Sequence, residues 1–348
     1  MEDLVVEALF NGGRETQIRA ATYLTKLTTE AKNLLVDKGV VTPLVFMLCS
    51  KQDYEAIEAA LFALLSLATR SQKNKILIAE SGAVPIIVDL LRQKSSSSLS
   101  ELATTALLIL SSCTKNKPVI VAAGAIQLLV DSLTTLDNIT TGTETGRRHS
   151  SVQANLDAIS ALHNLSTCHQ LVPSIVSAGV VFPLLQLVYN SNKASKLTEK
   201  ALALLEKIAA SSEIAVDEIA STQGGILALV EAVEGDSQQS REHAVGVLLS
   251  ICRTCIDKYR GSILRQGPIP GLLQLSLEGT RRAKDMARDL LIVLRNPVSP
   301  NHGFRRKGTR NGFLEQIIEN IESVEDEKAA VTAMRSLEEM ITELRSHL

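Results

Sequence analysis

The feature that most constrains this chain is a glycine that returns at nearly fixed intervals. It stands at or just before the start of an apolar segment at Gly39 (KGVVTPLVFML), Gly82 (SGAVPIIVDLL), Gly124 (AGAIQLLVDSL), Gly179 (AGVVFPLLQLV), Gly224 (QGGILALVEAV) and Gly267 (QGPIPGLLQLS). The intervals are 43, 42, 55, 45 and 43 residues. A period of roughly 40–47 residues built from helical segments belongs to a stacked helical array. One repeat reads cleanly at 55–91, EAIEAALFALLSLATRSQKNKILIAESGAVPIIVDLL: a long amphipathic helix, a short helix, a glycine bend and a third helix. Glycine suits the bend because it adopts φ > 0 without a Cβ clash. Pro43, Pro85, Pro183 and Pro270 follow where a first helical turn needs no N–H. Such a unit buries too little surface to stand alone, so neighbours must stack.

Stacking also accommodates the length. A single core is strained by 348 residues, whereas an array grows along one axis. Hydrophobic residues make up 45% and aromatics 3%, with no Trp, which predicts an aliphatic core between closely packed helices. A net charge of −2 exerts no general pull on nucleic acid or an anionic membrane. The absence of an apolar run near ~18 residues argues against a membrane span. Cys49, Cys113, Cys168, Cys252 and Cys255 are odd in number and scattered, and MEDLVVEALF has no basic signal region. Reduced thiols in the cytoplasm or nucleus are the expectation.

In order, residues 1–13 form an N-terminal cap and 14–295 carry about six to seven repeats. The periodicity predicts a first long helix over 16–28 and another over 54–69. A third is predicted over 100–112, with Ser98 and Glu101 spaced as a capping box. Later repeats read as 153–167 with 172–188, 196–210 with 214–233, and 240–255 with 259–277, closed by 280–294. The long interval after Gly124 is a loop insertion at 134–151, TTLDNITTGTETGRRHSS. Within it Arg147-Arg148-His149-Ser150 has the form basophilic kinases accept, which marks Ser150 as a candidate phosphorylation site. A basic linker at 296–312 and an acidic, helix-periodic segment at 313–348 follow, read as helices that cap the array or pair with a partner.

No catalytic pattern emerges. The chain has no G-x-S-x-G and no H-E-x-x-H, and GFRRKGT at 303–309 lacks the lysine of a phosphate loop. Cys252 and Cys255 have metal-like spacing, but with His243 they supply at most three ligands, whereas a closed zinc site needs four. No metal, cofactor or enzymatic activity is expected. A ladder does recur: Glu58, Glu101, Glu199 and Glu242 each stand nine residues before Leu67, Leu110, Ile208 and Ile251. An early-turn glutamate complements the helix dipole, and a stacked array would align these acids in a row. In the fourth repeat the place falls to Leu156, with Asp157 beside it.

GAVPIIVDLL preceded by AALFALLSLA, together with ALHNLS at 161–166, resembles armadillo repeats. The resemblance covers roughly 14–295 and implies an all-α right-handed superhelix of three-helix units, whose longest helix lines a concave groove for extended peptides or partner domains. SREHAVGVLLSIC at 240–252 and EGTRRAKDMARDLLIVLR at 278–295 are similar to the armadillo region of plant U-box ubiquitin ligases. With repeats that start close to Met1, no U-box is expected ahead of them, and the resemblance implies the partner-reading half and not ligase activity. The family's groove asparagine carries over at Asn164; the matching places hold Lys26, Ser66, Ile109, Lys207 and Ser250. Phe62 is the one aromatic residue a turn before that slot.

The groove expected from this register is lined by Thr22, Lys26, Glu58, Phe62, Ser66, Thr105, Asp157, Ser160, Asn164, Lys200, Lys207, His243 and Ser250, with Leu162 in the core. The expected function is a non-enzymatic scaffold that binds partner proteins or peptides. The alternatives are a substrate-recognition component of the ubiquitin pathway working with a separate enzyme and, further off, a nuclear-import cargo adaptor.

Overall fold

The computed structural model describes residues 2–50, 53–93, 96–133 and 151–295. They form helices and turns, with no strand among the described residues. Most of the loop insertion with Ser150, the basic linker at 296–312 and the acidic segment at 313–348 lie outside them. The helices fall into two compact units, residues 1–191 with 196–215, and residues 192–195 with 216 onwards.

The first unit opens with α1 (Glu2–Asn11) and continues as long, short and return helices in rotation. The long helices are α2 (Arg14–Thr25), α5 (Tyr54–Ala68), α8 (Ser97–Ser111), α11 (Val152–Ser166) and α14 (Lys196–Ala209). The short ones are α3 (Thr29–Asp37), α6 (Gln72–Glu80), α9 (Lys117–Ala122) and α12 (Val172–Ser177). The return helices are α4 (Val41–Leu48), α7 (Ala83–Gln93), α10 (Ala125–Leu133) and α13 (Val181–Asn190). Each long helix packs on the next, α2 on α5, α5 on α8, α8 on α11 and α11 on α14. A helix between two like neighbours must bury more than one face. Accordingly α5 buries Ala56, Ile57, Ala59, Ala60, Leu61, Ala63, Leu64, Leu67 and Ala68, with alanines where the neighbouring backbones come close. Leu162 is fully buried, as the register requires.

The bend glycines carry the repeat. Gly39, Gly82, Gly124, Gly179, Gly224 and Gly267 all have positive φ, between 69° and 83°. At Gly82 a side chain would have room but would still be forced into the left-handed region, so the constraint is conformational and not steric crowding. Pro43, Pro85 and Pro183 fall third in α4, α7 and α13, within the turn whose N–H groups have no intrahelical partner.

α15 (Glu213–Ser221) spans the boundary between the units. The second unit holds α16 (Gly225–Val233), α17 (Gln238–Arg265), α18 (Ile269–Glu278) and α19 (Arg281–Arg295). α17 packs on α16 and α19, and α18 packs on α19.

Two local expectations need correction. The first long helix ends at Thr25, because Thr28 instead caps α3 by accepting a hydrogen bond from the Ala31 N–H at 3.4 Å. The Ser98–Glu101 capping box is not formed: α8 begins at Ser97, and Ser98 lies inside its first turn, donating to Glu58 Oε1 at 3.3 Å. A run of serines offers several starts, and packing selects the earlier one. The division expected between 240–255 and 259–277 is met by a kink: α17 joins two helices across Cys255, whose φ of −142° and ψ of 55° are not helical, and Gly267 supplies the bend before α18.

Candidate partner-binding surface

The long helices of the first unit present the positions expected to bind a partner. Thr22 on α2 and Lys26, the residue that closes it, are exposed, and Phe62 on α5 is 47% exposed despite its size. Glu58, Ser66, Thr105, Ser160, Asn164, Lys200 and Lys207 are half-buried. On α17, His243 and Ser250 are half-buried as well, the latter bonded locally to the Gly246 carbonyl at 2.9 Å.

Several of these side chains are already engaged between repeats. Ser66 Oγ donates to the Thr25 carbonyl at 3.4 Å. Asn164 Nδ2 donates to the Leu108 carbonyl at 3.3 Å and to Ser111 Oγ at 3.2 Å, fastening α11 to the end of α8. Asp157 departs furthest from an open groove. It is 7% exposed and accepts hydrogen bonds from Thr105 at 2.5 Å and Gln153 at 2.7 Å, so its carboxylate is consumed inside the stack.

The glutamate ladder follows the same logic. Glu58 receives the Ser98 hydroxyl of the next long helix, and Glu199 pairs with Lys196 at 2.8 Å. In the second unit Glu242 accepts from Thr280 and from Arg282 Nη1 at 2.7 Å. Burial alone would push the Glu242 carboxyl up, but these hydrogen bonds outweigh it and hold it below its ordinary range. At the N-terminus of α5, Asp53 caps the Ala56 N–H and accepts Arg14 Nε at 2.6 Å, which lowers its carboxyl below the usual value. Glu58 and Glu242 therefore each tie one long helix to the next within their own units.

Sequence reasoning missed a second set of polar residues. Asn74 Nδ2 donates to the Leu67 carbonyl at 2.8 Å and to Asn33 Oδ1 at 3.2 Å. Asn116 Nδ2 donates to the Lys75 carbonyl at 2.9 Å and the Leu110 carbonyl at 3.3 Å. Both asparagines are buried and bridge adjacent repeats. The signal was present: Asn-Lys recurs at 74–75 and 116–117, separated by 42 residues, the same interval as Gly82 to Gly124. A third device caps the C-terminal ends of α1 and α16. Gln17 Nε2 reaches the Leu9 carbonyl, and Arg241 Nε the Val233 carbonyl, each at 3.0 Å and eight residues back.

No group of three or more His, Cys, Asp or Glu side chains placed to hold a metal occurs among the described residues. Cys252 is buried, and burial pushes its thiol up to about 11, far from the thiolate that a nucleophile or metal ligand requires. A cavity of about 470 Å³ lies among Leu48, Tyr54, Ile86, Leu90 and Leu99, with Asp89 on its lining.

Comparison with known proteins agrees with this architecture. Residues 2–142 and 141–310 match the family described as the plant U-box protein ARM repeat region. U-box domain-containing protein 45 of Arabidopsis thaliana is 31% identical over 144 residues, 41% of this chain. U-box domain-containing protein 17 of the same plant is 30% identical over 138 residues, 39% of this chain. The matched segment spans 18% of the length of each relative. Among solved structures, an engineered protein superposes with a TM-score of 0.73 at 23% identity, covering 96% of this chain and 77% of its own. A designed armadillo repeat protein in complex with the peptide (KR)4 gives 0.60 at 20% identity, covering 73% of this chain and 99% of its own. The fold is an all-α armadillo solenoid, and the chain belongs to the plant U-box protein armadillo-repeat family.

Proposed function

We propose that the chain is a non-enzymatic adaptor that holds an extended segment of a partner protein along the exposed face of the first unit's long helices. The observation that carries this is Phe62, an aromatic side chain left 47% exposed on a helix whose other faces are tightly buried. Large aromatics in the middle of a polar surface are the usual anchors of binding energy. Thr22 on the adjoining helix α2 and Lys26 just past its end stand exposed and supply a polar rim. The armadillo fold and the designed relative solved with a peptide support this mode of use. Cationic Lys26 and Lys207 at the asparagine slot disfavour a basic cargo, so the nuclear-import reading is set aside. The five cysteines are all free, consistent with a reducing cytoplasmic or nuclear setting.

A second reading has its own support. The two Arabidopsis relatives are U-box proteins, and this chain matches only a fraction of their length. It would then select substrates for a ubiquitin ligase whose catalytic module is a separate chain.

Peptide-display selection against the purified chain tests the first reading. Selected peptides should bind Phe62→Ala at least about tenfold more weakly, with melting unchanged because the ring is exposed. Equal affinity for wild type and variant would remove the groove as the functional surface. For the second reading, the partners so identified should be ubiquitinated in a reconstituted reaction only when this chain and a separate ligase are both present.

A further inference from the structure

At one edge of the first unit the long helices end and the short helices begin, and the turns there carry a charge pattern that the groove reading does not use. Residues 27–33, 69–76, 112–118 and 167–173 contain six lysines and arginines against one carboxylate, Glu30. Lys73 is neutralised by Asp37 at 2.7 Å. Arg70 and Lys115 are exposed and enter no ion pair among the described residues.

Beneath them lie Lys75 and Lys117, only 9% and 5% exposed. Neither meets a carboxylate among the described residues. Lys75 Nζ donates to Ser112 Oγ at 2.8 Å, and Lys117 Nζ donates to Thr167 Oγ1. His169 Nδ1 lies 3.2 Å from Ser211 Oγ at the next step. With no carboxylate beside either lysine, positive potential at this edge is not cancelled locally and extends to the exposed Ser112 and Thr167. Arg70 adds a conformational oddity. Its φ of 63° makes it the one non-glycine residue with positive φ among the described residues, at a position where glycine would be less strained.

We infer that this edge binds an extended acidic segment of a partner protein whose carboxylates fall at about every third residue. Packed helices stand roughly 8–10 Å apart. A segment in the extended polyproline II form advances about 3.1 Å per residue with three residues per turn, so every third side chain faces the same way and three residues match one repeat. Arg70 and Lys115 make the direct contacts, while Lys75 and Lys117 supply the field behind Ser112 and Thr167. A nucleic acid offers the same charge but holds single strands by stacking on aromatics. These four turns contain no Phe, Tyr or Trp.

The test uses the full chain and a labelled peptide repeating Glu-Gly-Ser, with Gln-Gly-Ser and an equally charged peptide of contiguous glutamates beside it, read by anisotropy. The Glu-Gly-Ser peptide should bind more tightly than both others and weaken as salt rises. Arg70→Glu with Lys115→Glu should weaken it about tenfold or more, and Phe62→Ala should leave it unchanged. Arg70→Gly should also weaken it while holding or raising the melting temperature, which separates lost contact from lost fold. Affinity within about twofold of wild type for the charge-reversed variant would overturn the proposal. So would equal binding of the glutamine peptide, or tighter binding of a single-stranded oligonucleotide. Equal binding of contiguous glutamates would overturn the spacing. Because Phe62 and the edge respond separately, failure here leaves the groove reading to stand or fall on its own test.

Discussion

The turn after α5 and the corresponding stretch of α17 occupy equivalent places in their repeats, yet they are built in opposite ways. After α5 the chain breaks, Ser71 caps α6 by accepting from the Asn74 N–H at 3.2 Å, and Arg70 points its charge at solvent. In α17 the backbone kinks at Cys255 without a capped turn, and the cations on either side are paired: Arg253 with Asp289 at 2.8 Å, Lys258 with Asp217. The Lys258 and Tyr259 hydrogen bonds hold the Asp217 carboxyl below its ordinary range. The comparison shows that repeats can share a core and differ in what their edges offer. A capped turn leaves charge available, whereas the kink inside α17 keeps the same residue types within reach of neutralising partners.

If only the edges differ, core substitutions should have equal effects. Leu162 and Leu248 occupy the same register position and are both fully buried. Leu162→Ala and Leu248→Ala should each cost about 2–5 kcal/mol, measured by denaturant unfolding. A value for Leu162→Ala near zero would break the register itself. Asn116→Ala should cost about 1–3 kcal/mol, since it strips two buried carbonyls of their donor. Hydrogen exchange should then rise first in α6 and α9, where the bridge is lost.

A pH titration sharpens the contrast in the second unit. The Glu242 carboxyl is lowered from 4.5, so the stability it contributes is complete above its unfolded value and is lost as pH falls through the native one. Glu242→Gln should therefore flatten the acid limb of the stability curve below about pH 4.5, while leaving Asp53 of the first unit to titrate as before. The smallest effect is expected from Arg253→Ala. Its ion pair is more than half exposed on both sides, and thermal melting should change by no more than about 1 kcal/mol.

The parts of this fold that a reader could take from the sequence are those that one residue must satisfy locally. Positive φ is written as glycine, so Gly82 and its counterparts marked every bend. A stripe of leucines and alanines marked Leu162 as core. What escaped is settled between residues far apart in the chain. Asp157 reads as a polar groove position, but its burial depends on Thr105, fifty-two residues away. Asn164 reads as a free carboxamide, but α8 takes its N–H₂ group. Ser98 reads as a cap because the pattern fits, and only the packing of α8 against α5 moves the helix start. The exposed residues Thr22, Lys26 and Phe62 were legible because they lie opposite an unambiguous apolar stripe.

The cross-repeat lysine bonds also bear on how such a protein can be cut and rebuilt. Lys75 belongs to one repeat, but the hydroxyl that satisfies it, Ser112, belongs to the next, and Lys117 and Thr167 repeat the offset. A truncation placed at a repeat boundary would strand a buried cation at the new end. An insertion there would separate cation from acceptor unless the newcomer brought both. The exchangeable module in the first unit is therefore staggered from the visible one, running from the short helix of one repeat through the long helix of the next.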